Sequence, residues 1–265
     1  GSDDSRRNAA AALANLAYSH EANKSAIART EGAVASLVKC VWNGRDDVRN
    51  NACCCIANMA VGSRDNKGTI ASSEGALLGL VDAARKGGDE TVANACGALA
   101  NVCENHDPNK KLLGATLDAI PVLVKAAGTA KTEVGITNAV CALSNLAADN
   151  PTNKRRISST PGCLQILVQL AASSTPETKS NAACCLANLL ADDADTKVAL
   201  GRIPFAFGAL VELVSQGTQS GKENACRALA NAVHRNDDNK TAVASARDGV
   251  SCLARLADND QIAAR

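Results

Sequence analysis

The sequence predicts an all-α protein, built as a solenoid of stacked three-helix repeats. Three observations support this: a ten-residue motif recurs six times, its copies are evenly spaced, and turn-forming residues divide each period in the same way. Self-similarity at a period of about 20 to 50 residues is typical of repeat proteins, in which each unit buries its apolar face against its neighbours. We therefore interpret residues 3–265 as one repeat domain and Gly1-Ser2 as residues left by cloning.

The recurring motif is rich in alanine and contains two asparagines seven residues apart. Its copies begin 43, 43, 44, 43 and 43 residues apart, a period found in solenoids of helical pairs or triplets. The six copies are Asn8–Ala17, Asn51–Ala60, Asn94–Cys103, Asn138–Ala147, Asn181–Leu190 and Asn224–Val233. This regularity, over nearly the whole chain, is not a consequence of composition.

Each period divides into a short, a medium and a long helix, as the first complete period illustrates. Asn23–Glu31 predicts a short first helix that opens with an asparagine cap, and Gly32 ends it. Ala33–Val41 carries apolar residues on one face and predicts the second helix. After a turn, the third and longest helix is predicted from Asp46 to about Val61.

The break between the first and second helix requires a residue that tolerates a positive φ. Asp118 is an acceptable substitute for glycine there, whereas Phe205, which follows Pro204, predicts an irregular turn in the fifth repeat. The breaker glycines of the other repeats are Gly32, Gly75, Gly162 and Gly249.

Both ends of the sequence fall within a repeat. Asp3–Ser19 supplies a third helix, and Asp237–Ala257 supplies a first and a second helix whose third begins around Asp260. We therefore expect about five full repeats between partial terminal repeats. Solenoids normally end in capping units with a polar outer face. We therefore expect either that the chain is a fragment of a longer protein or that a partner element docks at its ends.

The blocks NK-x-x-I, GA-x-x-x-LV and NAA-x-AL-x-NLA, in this order, resemble the armadillo repeat family over residues 3–265. The resemblance implies a right-handed superhelix whose third helices line a concave groove. It also implies a role in binding extended peptides or partner proteins. The wording of the third block is similar to that of plant U-box ligases and vacuolar adaptors.

The candidate binding residues are the asparagines of the third helices. Two asparagines seven residues apart share a helix face, and each costs up to about 0.7 kcal/mol relative to alanine, so helix propensity does not explain them. The resemblance implies that the later column, which we call the ladder, binds a peptide main chain through its amides. The ladder consists of Asn15, Asn58, Asn101, Asn145, Asn188 and Asn231.

The ladder amides could instead satisfy buried carbonyls between adjacent repeats, and the sequence leaves both roles open. If they bind peptide, replacing three of them by alanine should weaken binding and leave the helices intact or slightly more stable. Further residues are expected beside the ladder in the groove. They are Asn51, Asn94, Asn138, Asn181, Cys54, Cys141, Cys184, Arg227, Asp149 and Asp192.

A receptor for basic nuclear signals is the first alternative function. Importin α resembles this architecture and has tryptophans four residues before the ladder, where they form slots for lysine side chains. Asp149 and Asp192, in turns after third helices, could meet basic ligand residues, or they could cap the following helices. Without indoles, however, the groove offers no cation–π surface. The residues found at the tryptophan positions are Ala11, Cys54, Gly97, Cys141, Cys184 and Arg227.

The second alternative is the substrate-recruiting region of a larger protein such as a U-box ubiquitin ligase. Catalysis by the chain itself is not expected. His20, His106 and His234 lie about one repeat or more apart, and no glycine-rich phosphate loop is present. We therefore expect a non-catalytic scaffold without a cofactor, which binds a protein or an extended peptide.

Composition limits the partners and the compartment. With 28 basic and 27 acidic residues, the chain has no net field to attract nucleic acid or an anionic membrane. No signal peptide opens the sequence, and no apolar run approaches the roughly 20 residues of a membrane span. The twelve cysteines contain no C-x-x-C pair, which predicts small buried side chains in a reducing compartment and no metal site. We expect a cytoplasmic or nuclear protein.

Overall fold

The computed structural model describes residues 2–258, which form eighteen helices and no strand. The predicted third helix beginning around Asp260 lies outside the described residues. The third helices have 15 residues each: α1 (Asp3–Ala17), α4 (Asp46–Ala60), α7 (Asp89–Cys103), α10 (Glu133–Ala147), α13 (Pro176–Leu190) and α16 (Gln219–Val233).

The shorter helices alternate regularly between these. The first helices are α2 (Glu21–Arg29), α5 (Arg64–Ser72), α8 (Asp107–Ala115), α11 (Pro151–Ser158), α14 (Ala194–Gly201) and α17 (Asp237–Ser245). The second helices are α3 (Ala33–Asn43), α6 (Ala76–Lys86), α9 (Ala119–Thr129), α12 (Cys163–Ala172), α15 (Ala206–Gln216) and α18 (Gly249–Ala257). The predicted order of short, medium and long helices is therefore confirmed.

The chain divides into two compact units, the first ending at Ile157 and the second beginning at Ser158. In the first unit the third helices α1, α4, α7 and α10 pack in sequence, as do the second helices α3, α6 and α9. In the second unit α13 packs on α16, and α12, α15 and α18 follow one another. Each unit is thus a stack in which a helix packs against its equivalent in the next repeat.

The core consists of aliphatic residues at equivalent positions of the third helices, surrounded by alanine and cysteine. Ile56, Leu99 and Leu143 are fully buried in the first unit, and Leu186 and Leu229 are buried in the second. Small side chains around them let helix backbones approach closely, which is how a chain with 2% aromatic residues fills its interior.

Most first helices begin with a side chain that caps them. In α2 the cap is His20, whose Nδ1 accepts the backbone N–H of Asn23 at 3.2 Å, so the predicted asparagine cap at Asn23 is wrong. His106 caps α8 in the same way, and burial, together with Arg64, lowers its pKa. The neutral imidazole that accepts this hydrogen bond is thereby favoured. Histidine was missed as a cap because serine, threonine, asparagine and aspartate dominate at this position.

A left-handed residue precedes most second helices, where the chain turns by 89° between α8 and α9 and by 91° between α14 and α15. Gly32, Gly75 and Gly162 have φ of 73°, 71° and 78°. Asp118 also adopts this conformation, with φ of 55°. The predicted role of glycine at these three positions is confirmed.

Two predictions about these turns are corrected. Phe205 adopts φ 62° like the glycines, so this turn keeps its left-handed residue, and the irregularity lies at Arg202, which ends α14 in a helical conformation. In the last repeat the left-handed residue is Asp248, with φ 62°, and Gly249 is the first residue of α18. Glycine is needed at 249 for a different reason, because a Cβ there would lie 2.1 Å from the carbonyl oxygen of Val243.

Replacing Phe205 by glycine is expected to raise the free energy of unfolding by about 0.5–1 kcal/mol. An L-residue in the left-handed region costs roughly 1–2 kcal/mol, which exceeds the added entropy of glycine in the unfolded chain. The phenyl ring is 88% exposed, so little packing is lost. Thermal unfolding followed by circular dichroism measures the change. Leu117→Gly, an exposed neighbour of the equivalent turn without positive φ, should give no stabilisation, and a less stable F205G variant would contradict the argument.

No single helix among residues 2–258 has both the length and the apolar composition needed to cross a membrane. Two consecutive pairs, α8 with α9 and α14 with α15, reach that length and composition only when taken together, and both pairs are sharply bent.

Candidate peptide-binding surface

The ladder asparagines connect each third helix to the one before it. Each side-chain amide donates from Nδ2 to a backbone carbonyl in the last turn of the preceding third helix. The bonds are Asn58 to Ala14 (3.0 Å), Asn101 to Ala57 (3.1 Å), Asn145 to Ala100 (3.0 Å) and Asn231 to Ala187 (2.9 Å). Such a bond between adjacent third helices, which we call a brace, is therefore present in both units. Because alanine would remove it, we now expect substitution at these positions to lower the stability of the protein rather than raise it.

The bracing bond leaves the amide oxygen of each ladder residue available. Asn58, Asn101, Asn145 and Asn231 are half-buried, and within the described residues their Oδ1 atoms accept no hydrogen bond. In Asn58 and Asn145 the Nδ2 atom also lies 3.9 and 3.8 Å from a cysteine sulfur. The amides are thus held in one orientation and offer an acceptor. Whether a peptide uses it remains a prediction.

The other two ladder residues complete the column. Asn15 lies exposed on α1, and Asn188 is half-buried on α13. Asn15 forms no hydrogen bond with its side chain among residues 2–258, so it is the ladder residue without a brace. The ladder of the first unit consists of Asn15, Asn58, Asn101 and Asn145, and that of the second unit consists of Asn188 and Asn231.

The earlier asparagine column is braced as well. Asn94 donates to the side chain of Asn50 at 2.7 Å. The others donate to carbonyls: Asn51 to Arg7 (3.2 Å), Asn138 to Ala93 (2.9 Å) and Asn224 to Ser180 (3.2 Å). Asn181 is half-buried at the equivalent position of α13. These residues thus stand two helical turns before the ladder, and those with a described bond brace adjacent third helices; their place in a groove stays a prediction.

The positions four residues before the ladder carry small or polar side chains. Cys54 and Cys141 are half-buried, and burial raises the pKa of the Cys54 thiol, which keeps it protonated at neutral pH. Gly97 is buried, and a Cβ there would lie 2.9 Å from Nδ2 of Asn138. The space that a larger residue would occupy in the first unit is thus taken by a neighbouring asparagine.

The second unit differs at this position because it carries a cation. The Nη2 atom of Arg227 lies 3.1 Å from the Sγ atom of Cys184 and 3.4 Å from Oδ1 of Asn224. The guanidinium is exposed beside the ladder. This part of the surface therefore favours acceptors or anions over a basic ligand side chain.

The acidic turn residues have two different roles. Asp149 and Asp192 adopt positive φ, 54° and 58°, in the turns after α10 and α13, and their side chains are exposed. They do not cap the following helix. The cap of α14 is the next residue, Asp193, whose carboxylate accepts the backbone N–H of Thr196 at 2.8 Å. Asn150 has the equivalent role for α11, one residue after Asp149.

The main residues that sequence reasoning missed are buried lysines of the first helices. Each donates its ammonium to the carbonyl that ends the third helix of its own repeat, where a cation is favoured by the helix dipole. The bonds are Lys24 to Val61 (3.1 Å), Lys67 to Glu104 (2.7 Å), Lys110 to Ala148 (3.1 Å) and Lys197 to His234 (3.0 Å). The recurring Asn-Lys pair was the available signal, since a lysine at a fixed place in each period is unusual for an apolar interface.

In most first helices an asparagine precedes the lysine and caps the preceding repeat, whereas Thr196 stands before Lys197. Asn66 donates to Met59 at 3.0 Å, and Asn109 donates to both Lys67 and Val102 at 2.9 Å. Asn239 does the same for Lys197 and Ala232 at 3.0 Å. The last turns of α4 and α7 thus receive a lysine from their own repeat. From the next repeat each receives this first-helix asparagine and the ladder asparagine.

Within residues 2–258, no three His, Cys, Asp or Glu side chains are grouped as they would be around a metal ion. The chemistry of the described surface is that of fixed amide acceptors, thiols and surface charges.

Comparison with known proteins identifies the fold and its repeat. A family model of the armadillo/β-catenin-like repeat matches residues 155–191. A computationally designed set of armadillo repeat proteins for modular peptide recognition matches with 29% identity and a TM-score of 0.75, over 84% of this chain and 92% of that chain. A second designed armadillo repeat protein matches with 28% identity and a TM-score of 0.75, over 85% and 92% of the two chains. A third, in complex with the peptide (KR)4, matches with 26% identity and a TM-score of 0.72, over 84% and 91%. Comparison with curated proteins gives no significant match.

The three-helix repeats, braced from one third helix to the next, define a helical repeat protein of the kind that acts as a binding scaffold. The chain contains an armadillo repeat at residues 155–191, and its fold is that of an armadillo-repeat solenoid.

Proposed function

We propose that the chain is a non-catalytic scaffold that binds an extended peptide, or an extended segment of a partner protein, along its third helices. The observation that carries the proposal is that the ladder amides are held in place by one atom and offer a hydrogen-bond acceptor with the other. Four of them are fixed by a bond from Nδ2, are half-buried, and keep an Oδ1 acceptor without a partner among the described residues. A peptide main chain offers an N–H group at almost every residue, so it can satisfy such acceptors.

The spacing of the ladder suits an extended ligand. Packed helices lie roughly 8–10 Å apart, and a strand rises about 3.3 Å per residue, so successive ladder residues would contact about every third ligand residue. The designed armadillo proteins that resemble this chain include one in complex with the peptide (KR)4, which supports a peptide as the ligand class.

The side chains around the ladder argue against strong selection of basic residues. No tryptophan lies four residues before a ladder position, and Arg227 adds a cation in the second unit. We therefore rank general peptide or partner binding above a receptor for basic nuclear signals. A basic ligand would instead bind through the exposed carboxylates of Asp149 and Asp192. We assign the proposed scaffold to the cytoplasm, because its twelve thiols form no disulfide and suit a reducing compartment.

The test is peptide binding by a ladder variant and a matched brace variant. A peptide is first selected from a displayed library of random twelve-residue sequences, and (KR)4 serves as a second probe. Asn101→Ala removes one brace and one ladder acceptor, whereas Asn66→Ala removes one brace in a buried first-helix position. Titration calorimetry should show about 2- to 12-fold weaker binding by N101A, which corresponds to roughly 0.5–1.5 kcal/mol for one hydrogen bond.

The same experiment separates the ladder role from bracing. Both variants should lose comparable stability, about 1 kcal/mol for a lost hydrogen bond, while N66A should bind as the unmodified protein does. If both variants lose affinity equally, the ladder amides act only as braces. Failure to select any peptide would reject the proposed function itself.

A further inference from the structure

One third helix of the second unit carries a positive charge four residues before its ladder asparagine. Arg227 and Asn231 are one helical turn apart, so both side chains lie on the same face of α16. The other third helices carry uncharged residues at this position, namely Ala11, Cys54, Gly97, Cys141 and Cys184. The charge is thus a property of this one repeat and not of the repeat pattern.

The guanidinium of Arg227 is held over the junction of α13 and α16. Its Nη2 atom lies 3.1 Å from Sγ of Cys184, on α13, and 3.4 Å from Oδ1 of Asn224, on its own helix. The guanidinium therefore lies between two neighbouring third helices and not at the outer edge of the stack. Because the side chain is already tethered, it loses less rotamer entropy when it binds a ligand than a mobile surface arginine would.

The charge of Arg227 is not neutralised by any described residue. Glu223, one helical turn earlier, forms no ion pair with it, and its carboxylate instead accepts a hydrogen bond from Nε2 of Gln219 at 2.7 Å. The Nε and Nη1 atoms of Arg227 donate to no residue in the described part of the chain, so their N–H groups can bind a ligand. Next to them, Asn231 uses Nδ2 for its brace to Ala187 and keeps its Oδ1 acceptor.

A second cation follows the same ladder residue. Arg235 lies four residues after Asn231, in the turn after α16, and it is exposed with φ of 56°. It too has no ion-pair partner among the described residues. At the equivalent place after α13 the chain carries Asp192. The two arginines on either side of Asn231 therefore favour an anionic ligand at α16 through their combined field.

We propose that Arg227 makes the second unit a site for an acidic peptide, in which it binds the carboxylate of an Asp or Glu side chain while Asn231 binds the main chain. The inference rests on the proposed function and adds the class of the ligand. A guanidinium suits a carboxylate because two N–H groups can donate in parallel to its two oxygens. A main-chain N–H and an acidic side chain occur together in one ligand residue, so neighbouring acceptor and donors can bind the same segment.

The test is selection from a displayed library of random twelve-residue peptides, in parallel on the 265-residue chain and on the variant Arg227→Glu. The unmodified chain should enrich peptides with Asp or Glu at one fixed place, and R227E should lose this enrichment or enrich Lys or Arg there. Arg202→Glu is the matched control. It makes the same change of net charge at an exposed position of the second unit, outside the third helices, and should select the same peptides as the unmodified chain.

Titration calorimetry then localises the contact. In the tightest peptide, conversion of the acidic residue to its amide should weaken binding to the unmodified chain by about 3- to 30-fold, as expected for a charge-assisted hydrogen bond at an exposed site. Arg227→Gln should bind the acidic peptide and the amide peptide equally. Arg227→Lys keeps the charge without the planar fork and should have an intermediate affinity for the acidic peptide. Circular dichroism confirms that each variant is folded.

Three results overturn this inference and leave the proposed function intact. The first is a set of selected peptides without a preferred acidic residue. The second is an R227Q variant that still distinguishes the acid from the amide. The third is a peptide with phosphoserine in place of the acidic residue that binds about tenfold more tightly or better, since a phosphate would then be the recognised group. Failure to select any peptide overturns both proposals.

Discussion

Replacing Asn109 by alanine is expected to lower the free energy of unfolding by about 2–4 kcal/mol. The amide is buried and donates to two carbonyls, those of Lys67 and Val102, both at 2.9 Å. A buried carbonyl left without a donor costs roughly 1–3 kcal/mol, and alanine supplies no substitute. The loss therefore combines one unsatisfied acceptor, the Val102 carbonyl in the last turn of α7, with a lost bond to Lys67, whose carbonyl lies within α5 and keeps its helical partner.

The measurement is urea unfolding followed by circular dichroism, with amide hydrogen exchange in α8 to localise the effect. The matched control is Asn23→Ala, at the equivalent position of α2. Asn23 is only half-buried and donates to one carbonyl, that of Leu16, at 2.9 Å, so we expect a loss of about 1 kcal/mol or less. Equal losses in the two variants would mean that the second bond and the burial of Asn109 contribute nothing.

Replacing Lys67 by methionine is expected to lower the free energy of unfolding by about 2–3 kcal/mol. The ammonium is buried and lies 2.7 Å from the carbonyl of Glu104 at the end of α7, and 3.1 Å from the carboxylate of the same residue. Hydrogen bonds to charged groups contribute roughly 1.5–3 kcal/mol, and the helix dipole adds to the effect. Methionine keeps most of the apolar stem, so the loss reports on the charged head.

Lys240→Met is the control for this second prediction. Lys240 has the equivalent position in α17, but it is exposed and forms only an ion pair with Asp237 in the described part of the chain. Exposed ion pairs contribute roughly 0–1 kcal/mol to stability, so K240M should change the free energy of unfolding very little. Chemical unfolding of both variants under the same conditions makes the comparison. A similar loss in K240M would show that the bond to the helix end is not the source of the effect in Lys67.

The repeat and its three helices were predictable because period and turn chemistry are local properties of a sequence. The third helix predicted from Asp46 to about Val61 is observed as Asp46–Ala60. The errors arose where the left-handed residue of a particular turn had to be identified. Asp248 lies 43 residues after Phe205, as the period requires, but the glycine beside it was chosen because glycine is the commoner left-handed residue.

The candidate site was predictable only in part. The two asparagine columns were found from their spacing, whereas the partner of each amide is a carbonyl 44 or 45 residues earlier, which no local pattern reveals. The two roles of the ladder proved not to exclude each other, since Nδ2 braces and Oδ1 remains available. Lys67 and its equivalents were missed because a lysine is normally assigned to the surface, and only the distant helix end explains its burial.

The lysines cap a helix later in the sequence and the asparagines cap a helix earlier in it. This arrangement has a consequence for how such a protein can evolve. Most repeats carry the lysine for their own third helix and the asparagines for the helix before it, so donors and acceptors recur with the same period as the gene segment that encodes them. Duplication of a segment of about 43 codons, begun at any point of the period, therefore inserts a unit whose neighbours already hold its capping partners. Loss of such a segment leaves no helix end uncapped. The length of the array can change in whole units while the sequence of each repeat stays under the same selection.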